Sequence, residues 1–427
     1  MSWRTFFRDE IKQLHEEGYA AEKARELLKK TRITSEADAI RLWANFRRIS
    51  RRRDYGYKEP TEHSELIKGL RNAEKNVHPG EKELLERLQG AWLGRAAGCM
   101  LGKPVEMWAS PRIKAALIKA KAWPLTDYFP ARHFAPIIAK WPDLGHCLRG
   151  NITCAVRDDD MDYTVLGMRI LEKYGRKFTS QDVGKAWMEK LAYATTYTAE
   201  RAAYASLIHG INPPKTAQNM NPWREWIGAQ IRADFWGYVN PGDPAKAAEY
   251  ALRDAAVSHT KNGVYGEMWA AAAIAAALAG SDMRGVLRAG LSVIPENSRL
   301  AEAIRNTAWW CQTSRGWEEA LGHIRHTYGR YGAVHTINNA CIVVMALLFG
   351  AGDFEKTITV AVMGGWDTDC NGATAGSIAG AMLGAKGVPG KWTAPLNDTL
   401  ICGLAGEGKL SLSGLAQRTL ELALHRG

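Results

Sequence analysis

Asp367 and Asp369 stand two residues apart in the run Gly364-Gly365-Trp366-Asp367-Thr368-Asp369-Cys370-Asn371-Gly372-Ala373-Thr374. The run sits at the mouth of an Ala/Gly-rich segment predicted to be helical to about residue 385. A second acidic knot, Asp158-Asp159-Asp160, lies far upstream and also precedes a helical pattern carried by Val165, Leu166, Met168, Ile170 and Leu171. Carboxylates at a helix start are favoured by its dipole, so the plain reading of either knot is an acidic N-cap. Three adjacent carboxylates beside apolar sequence, however, call for a counter-charge. Two such knots together point to oxygen ligands for hard divalent cations. Gly364, Gly365 and Gly372 permit the sharp backbone path that would aim Asp367 and Asp369 at one place.

These residues need a large scaffold. The chain has 427 residues and a formal net charge of +11, enough for one big domain with an appendage or for two domains. The longest apolar runs, 268–280 and 340–350, fall short of the roughly 20 residues that span a bilayer. No signal-peptide apolar region opens the chain, and a cytoplasmic location is expected. The seven cysteines form no Cys-x-x-Cys pair, which argues against a disulfide framework or a zinc site. Most are expected to be small buried side chains; Cys370, inside the acidic motif, is the exception.

Composition divides the chain near residue 80. Residues 1–80 are rich in Lys, Arg and Glu, with helical spacing at 10–17 and 20–30 and around 62–76, and with Ser35 placed to N-cap a third helix. Arg47–Arg53 carries five arginines near Trp43 and Phe46. This stretch admits a nucleic-acid contact, but interspersed glutamates favour a solvated helical face or an oligomerisation arm. From 81 to 427 almost every element reads as helix: 83–100, 163–174, 182–193, 244–257, 265–279, 299–313, 317–328, 337–349 and 371–385. Period-two alternation is scarce, so an all-α fold is expected, with long loops at 104–130 and 207–221. The small residues imply close helix–helix packing.

Two further stretches suit a pocket. Trp223–Arg232 and Asp234–Gly242, which include Gly228, Arg232 and Asn240, mix aromatics with amides that could hold a base or ribose; a packed loop is the alternative. His259, Gly263 and Tyr265 lie where a Gly-bearing turn enters a helix and could offer N–H groups to phosphate. A lone His is more often structural, and the buried amides of His335-Thr336-Ile337-Asn338-Asn339 more often satisfy backbone groups.

The acidic motifs resemble those of the ADP-ribosylglycohydrolase family. Gly90-Ala91-Trp92-Leu93-Gly94-Arg95-Ala96-Ala97-Gly98, continued by Gly102-Lys103-Pro104-Val105-Glu106, is similar to its early Gly-rich helix ending in Glu. Asp158-Asp159-Asp160 resembles its Thr-Asp-Asp knot, and Asp367-Thr368-Asp369-Cys370 its late Asp-x-Asp-Thr motif. The likeness spans about residues 85–390 and leaves out the basic segment. Three positions depart: Asp158 stands for Thr, Cys370 for Thr or Ser, and Arg95 for the Asp that follows the early Gly. A thiol is a poor Mg²⁺ ligand and suits a softer ion such as Mn²⁺ better.

The resemblance implies a compact helical hydrolase of an N- or O-ribosyl bond, with two Mg²⁺ or Mn²⁺ ions gripping the ribose diol. It implies metal ligands at Asp158, Asp159, Asp160, Asp367, Asp369 and Cys370, and catalytic roles for Glu106, Asp159 and Asp367, with Glu106 as general acid/base. The expected substrate is ADP-ribosylated or otherwise ribosylated, consistent with the positive net charge. Two alternatives stay open: a hydrolase of free nucleosides, nucleotides or other small ribosyl conjugates, and a catalytically silent binding or structural protein on the same fold.

Overall fold

The computed structural model describes residues 2–70, 79–134 and 142–425. Helix starts follow local capping chemistry. Ser35 and Asp38 form a capping box, as do Thr179 and Asp182, and Asp243, Asp282 and Asp353 each accept a first-turn N–H. The amino-terminal segment holds α1 (Trp3–Glu16), α2 (Ala21–Lys30), α3 (Glu36–Phe46) and α4 (His63–Gly69). Then come α5 (Glu81–Gly102), α6 (Ser110–Lys119), α7 (Asp159–Tyr174), α8 (Ser180–Lys190), α9 (Thr198–Ile208), α10 (Asp234–Tyr238) and α11 (Pro244–Ala255). The chain continues through α12 (Asn262–Leu278), α13 (Met283–Ser292), α14 (Arg299–Thr313), α15 (Trp317–Tyr328), α16 (Thr336–Gly350), α17 (Phe354–Gly364), α18 (Thr368–Leu383), α19 (Gly390–Thr393) and α20 (Leu412–Leu424). Among the described residues the only sheet is the antiparallel pair β1 (Thr399–Cys402) and β2 (Gly408–Ser411). The all-α expectation holds.

The 104–130 stretch is not all loop. Pro111 in the first turn presets a helical φ, and Ile113 and Leu117, four apart, bury one face of α6. The first part of the helix expected around 62–76 is α4, and the expected remainder, 71–76, lies outside the described residues.

α12 is buried along its whole length, and from Met268 onward it is apolar all round. α16 is nearly as buried, and α5 and α18 lie against this interior. α5 and α18 run antiparallel with unusually close backbones. A methyl group on Gly90, Gly94 or Gly98 would overlap the carbonyl oxygen of Gly380, Gly376 or Gly372 respectively, and each of those three glycines meets its partner in the same way. The four-residue spacing on both helices makes one continuous small-residue seam. Its last pair, Gly102 against Thr368, brings the end of α5 to the start of α18; Thr368 Oγ1 donates to Gly102 O at 2.8 Å.

α1–α3 close over their own apolar cluster, centred on Phe6, Phe7, Leu14, Leu42, Trp43 and Phe46, with Trp223 of the main body packed against it. Buried charge also joins the two parts. Arg224 pairs with Glu10 (2.6 Å) and Glu17 (2.7 Å), and Lys261 also pairs with Glu17. Arg299 pairs with Glu59 (2.8 Å) and Glu225 (2.7 Å). Among the described residues no helix is long and apolar enough to cross a membrane.

Candidate metal centre

Three chain segments meet at the α5–α18 junction. The first is the end of α5 and its following turn, Cys99 to Glu106. The second is the start of α7, and the third the start of α18. The loop Gly364–Asp367 is pinned to the Glu106 turn by two backbone bonds, Met107 N–H to Trp366 O and Trp366 N–H to Trp108 O, both 2.8 Å. Gly365 and Trp366 have φ of 83° and 67°, the left-handed path that turns Asp367 back towards Glu106. Asn339 steadies the start of α18: its Oδ1 accepts from Asp367 N–H (3.2 Å) and from Asn371 Nδ2 (2.8 Å).

Ligand atoms fall into three overlapping groups, each with all its members within 4.8 Å of one another: Glu106–Asp367–Asp369, Asp160–Asp369–Cys370 and Cys99–Asp158–Asp160. Asp160 and Asp369 link them into one row. The structure thus gathers Glu106, Asp158, Asp160, Asp367, Asp369 and Cys370. Asp159, the first residue of α7, is half-buried at the edge of the row and belongs to none of the three groups.

Charge crowding shows in the acidities. Glu106 is exposed as a residue, yet its carboxyl is pushed up to about 9, first by the charge of Asp369 and then by burial of the group. Burial, followed by Asp158, lifts Asp369 to about 6 and Asp159 to about 7. Burial and the charge of Asp369 raise Asp367 well above the usual carboxylate range. Burial, then Asp160, raises the Cys370 thiol, which keeps it a protonated, weak ligand.

Three residues at this site carried no metal or catalytic role in the sequence reading. Arg95, fully buried, donates to Asp160 O (2.7 Å), Asp160 Oδ1 (3.2 Å), Ile231 O (2.6 Å) and Asp234 Oδ2 (2.7 Å), fixing the start of α7. Lys103 pairs with Asp158. Cys99 faces Asp158 and Asp160. Arg95, Cys99 and Lys103 are spaced four apart, so a helical reading of α5 would have placed them on one face.

The six expected substrate contacts spend most of their polar atoms on the protein, although His259 Nε2 is buried with no hydrogen-bond partner. Arg232 is buried among Glu200 (2.9 Å), Asp254 (2.5 Å) and Glu267 (3.6 Å), and the Gly228 carbonyl accepts from it at 3.2 Å. His259 Nδ1 bonds Ser258 Oγ at 2.8 Å, and burial drives the ring's pKa down. Asn240 donates to Trp236 O at 2.9 Å, and Tyr265 to Pro60 O. Gly263 packs beneath Arg224 and His259. The α12 N-terminus offered as a phosphate cradle already gives the Asn262 N–H to Glu225, at 3.1 Å. Among the described residues no hydrogen bond or ion pair ties these six to the acidic row. Trp366, unassigned by sequence, lines a hollow of about 430 Å³ with Arg325 and His326 next to Asp367.

A family model for ADP-ribosylglycohydrolases matches residues 80–425. The chain belongs to the ADP-ribosylglycohydrolase family. The match begins where α5 does and excludes α1–α4. A solved structure described as an "ADP-ribosylglycohydrolase-related protein complex" is similar in fold, with TM-score 0.50 and 21% identity over 81% of this chain and 99% of that one. Curated protein sequences give no match. For an ADP-ribosylglycohydrolase, the oxygen-rich row is where divalent cations would sit, and the donor set fits them. Asp369 Oδ1 is buried with no hydrogen-bond partner, and the carboxylates outnumber the cationic groups that touch them.

Proposed function

We propose that this ADP-ribosylglycohydrolase is a divalent-cation-dependent hydrolase of an N- or O-ribosyl bond, acting on an ADP-ribosylated substrate. The observation that carries the reading is the meeting of Glu106, Asp367 and Asp369 with Asp158 and Asp160 at one helix junction. Carboxylates so crowded disfavour ionisation unless a cation or proton is shared among them. Asp158, Asp160, Asp367 and Asp369 would hold up to two Mg²⁺ or Mn²⁺ ions, with Asp159 at their margin. Bound there, the cations would supply Lewis acidity and charge neutralisation towards a ribose diol.

The chain's own residues supply the rest. Glu106 is the exposed member of the row, the one placed to exchange a proton with an entering glycosidic bond, and without a cation the charge of Asp369 raises its pKa. It serves as general acid for the leaving group and, once deprotonated, as base for the attacking water. Arg95 and Asn339 act through others, holding Asp160 and Asp367 in place. The Trp366 indole, with Arg325 and His326, offers an aromatic and cationic border for the rest of an anionic substrate. The test is product analysis with Mg²⁺ across ADP-ribosylated protein, ADP-ribosylated nucleic acid and small ribosides. Release of free ADP-ribose from a conjugate is expected. Cleavage of small ribosides alone would move the substrate assignment to free nucleosides, and no cleavage of any would overturn the hydrolase reading.

A further inference from the structure

Protein cations are unequally distributed along the acidic row. At the Glu106–Asp367–Asp369 end, no described Lys or Arg pairs with a carboxylate, and Asp369 Oδ1 has no partner. At the Cys99–Asp158–Asp160 end both carboxylates are already committed. Asp158 Oδ1 accepts the Asp160 N–H at 2.9 Å, and its other oxygen is held by the Lys103 ammonium. Asp160 is held by Arg95. The two cationic groups differ in freedom. The Arg95 side chain is 0% exposed and locked by four residues, whereas that of Lys103 is 19% exposed on a flexible stem with one charged partner. The backbone of Lys103 is nevertheless fixed, because Gly102 before it abuts Thr368.

We propose that Lys103 is an internal competitor for the second cation, making the two cation positions unequal: the Glu106–Asp367–Asp369 position fills first, and the Asp158–Asp160 position fills only when the Lys103 ammonium swings off Asp158. This rests on the divalent-cation reading above and deepens it. The ammonium and a cation compete for the same Asp158 oxygen, and repulsion between the two positive charges disfavours holding both there. Removing Lys103 therefore selectively strengthens the second position, beyond the general gain from one fewer positive charge nearby. Arg157 provides the control for that general gain: it pairs with Asp162 at 2.7 Å, and its charge is felt at Asp158 without an ion pair to it among the described residues.

The experiment is a Mn²⁺ titration of the metal-stripped full chain by calorimetry, with electron paramagnetic resonance reporting single against coupled ions. Wild type is expected to show one tight site and a second weaker by roughly tenfold or more. Uncoupled six-line spectra should dominate at one equivalent. Lys103→Met is expected to tighten the second site by roughly tenfold or more and to give coupled spectra at lower Mn²⁺, while Arg157→Met leaves the gap between sites in place. Asp158→Asn, which keeps Lys103, is expected to retain the tight site alone, so the proposal stays testable should Lys103→Met fail to fold. Unchanged affinities in Lys103→Met, an equal narrowing in Arg157→Met, or loss of both sites in Asp158→Asn would overturn the role of Lys103. No Mn²⁺ bound by any chain would overturn the divalent-cation reading with it.

Discussion

Glu106 and Asp369 illustrate how position alone sets chemistry at the residue scale. Both are ordinary carboxyls in sequence; brought together without a counter-ion, they resist ionisation. Glu106 rises from an ordinary 4.5 to about 9, Asp159 from 3.8 to about 7 and Asp369 from 3.8 to about 6. Each raised group binds its proton more tightly in the folded state, so its contribution is full below the ordinary value and lost as pH rises through the folded one. The metal-stripped protein should therefore melt at progressively lower temperature from pH 5 to about 9, and Mg²⁺ should restore more stability at pH 8 than at pH 5. Thermal melts with and without Mg²⁺ check this; equal shifts at both pH values would contradict it. The two Asp clusters and Glu106 were readable from sequence because they are dense and motif-like. Lys103 and Arg95 were not, since a single basic residue on a helix is usually solvated and only the fold turns these two towards Asp158 and Asp160.

At the scale of elements, the junction depends on how closely α5 approaches α18. The glycine seam sets that distance, and Gly98 lies at its centre, opposite Gly372. Gly98→Ala should force the helices apart, costing about 1–3 kcal/mol and loosening Mn²⁺ binding, because Cys99 and Glu106 follow on the same segment while Asp369 is on the other helix. Gly80→Ala, at a position with open space, should do neither. Denaturant melts and Mn²⁺ titration of both variants decide it. The composition already suggested close packing, and helices with apolar spacing, such as Arg299–Thr313 and Trp317–Tyr328, were readable to their ends. α6 was not, because its short apolar face sits in a Pro- and Lys-rich stretch. The partner-taking of Arg232, Tyr265 and Asn240 was also hidden, since sequence does not show whether a polar side chain meets solvent or another buried group.

At the scale of the molecule, the amino-terminal segment is bound by buried charge, and one of its pairs, Glu59 with Arg299, has a pH response opposite to that of the acidic row. Burial acts to raise Glu59, but Arg299 overrides it and holds the carboxyl down at about 2. Its stabilisation is full above 4.5 and lost as pH falls through about 2, so acid should loosen the Glu59–Arg299 attachment while protonation eases the crowded row. Arg299→Met leaves Glu59 and Glu225 buried without their cation and should cost about 3–5 kcal/mol. Limited proteolysis should then cut first near residues 50–60; protection equal to wild type would contradict the docking role of these pairs. All of this supports one site, and the site is best judged by its dependence on cations and on Asp369. The decisive measurement is release of free ADP-ribose from an ADP-ribosylated peptide by metal-stripped wild type, by the same protein with Mg²⁺ or Mn²⁺ restored, and by Asp369→Asn with the cation present. Turnover is expected only in the restored wild type, with Asp369→Asn lower by roughly a hundredfold or more. Equal release without cations, or by Asp369→Asn, would contradict it.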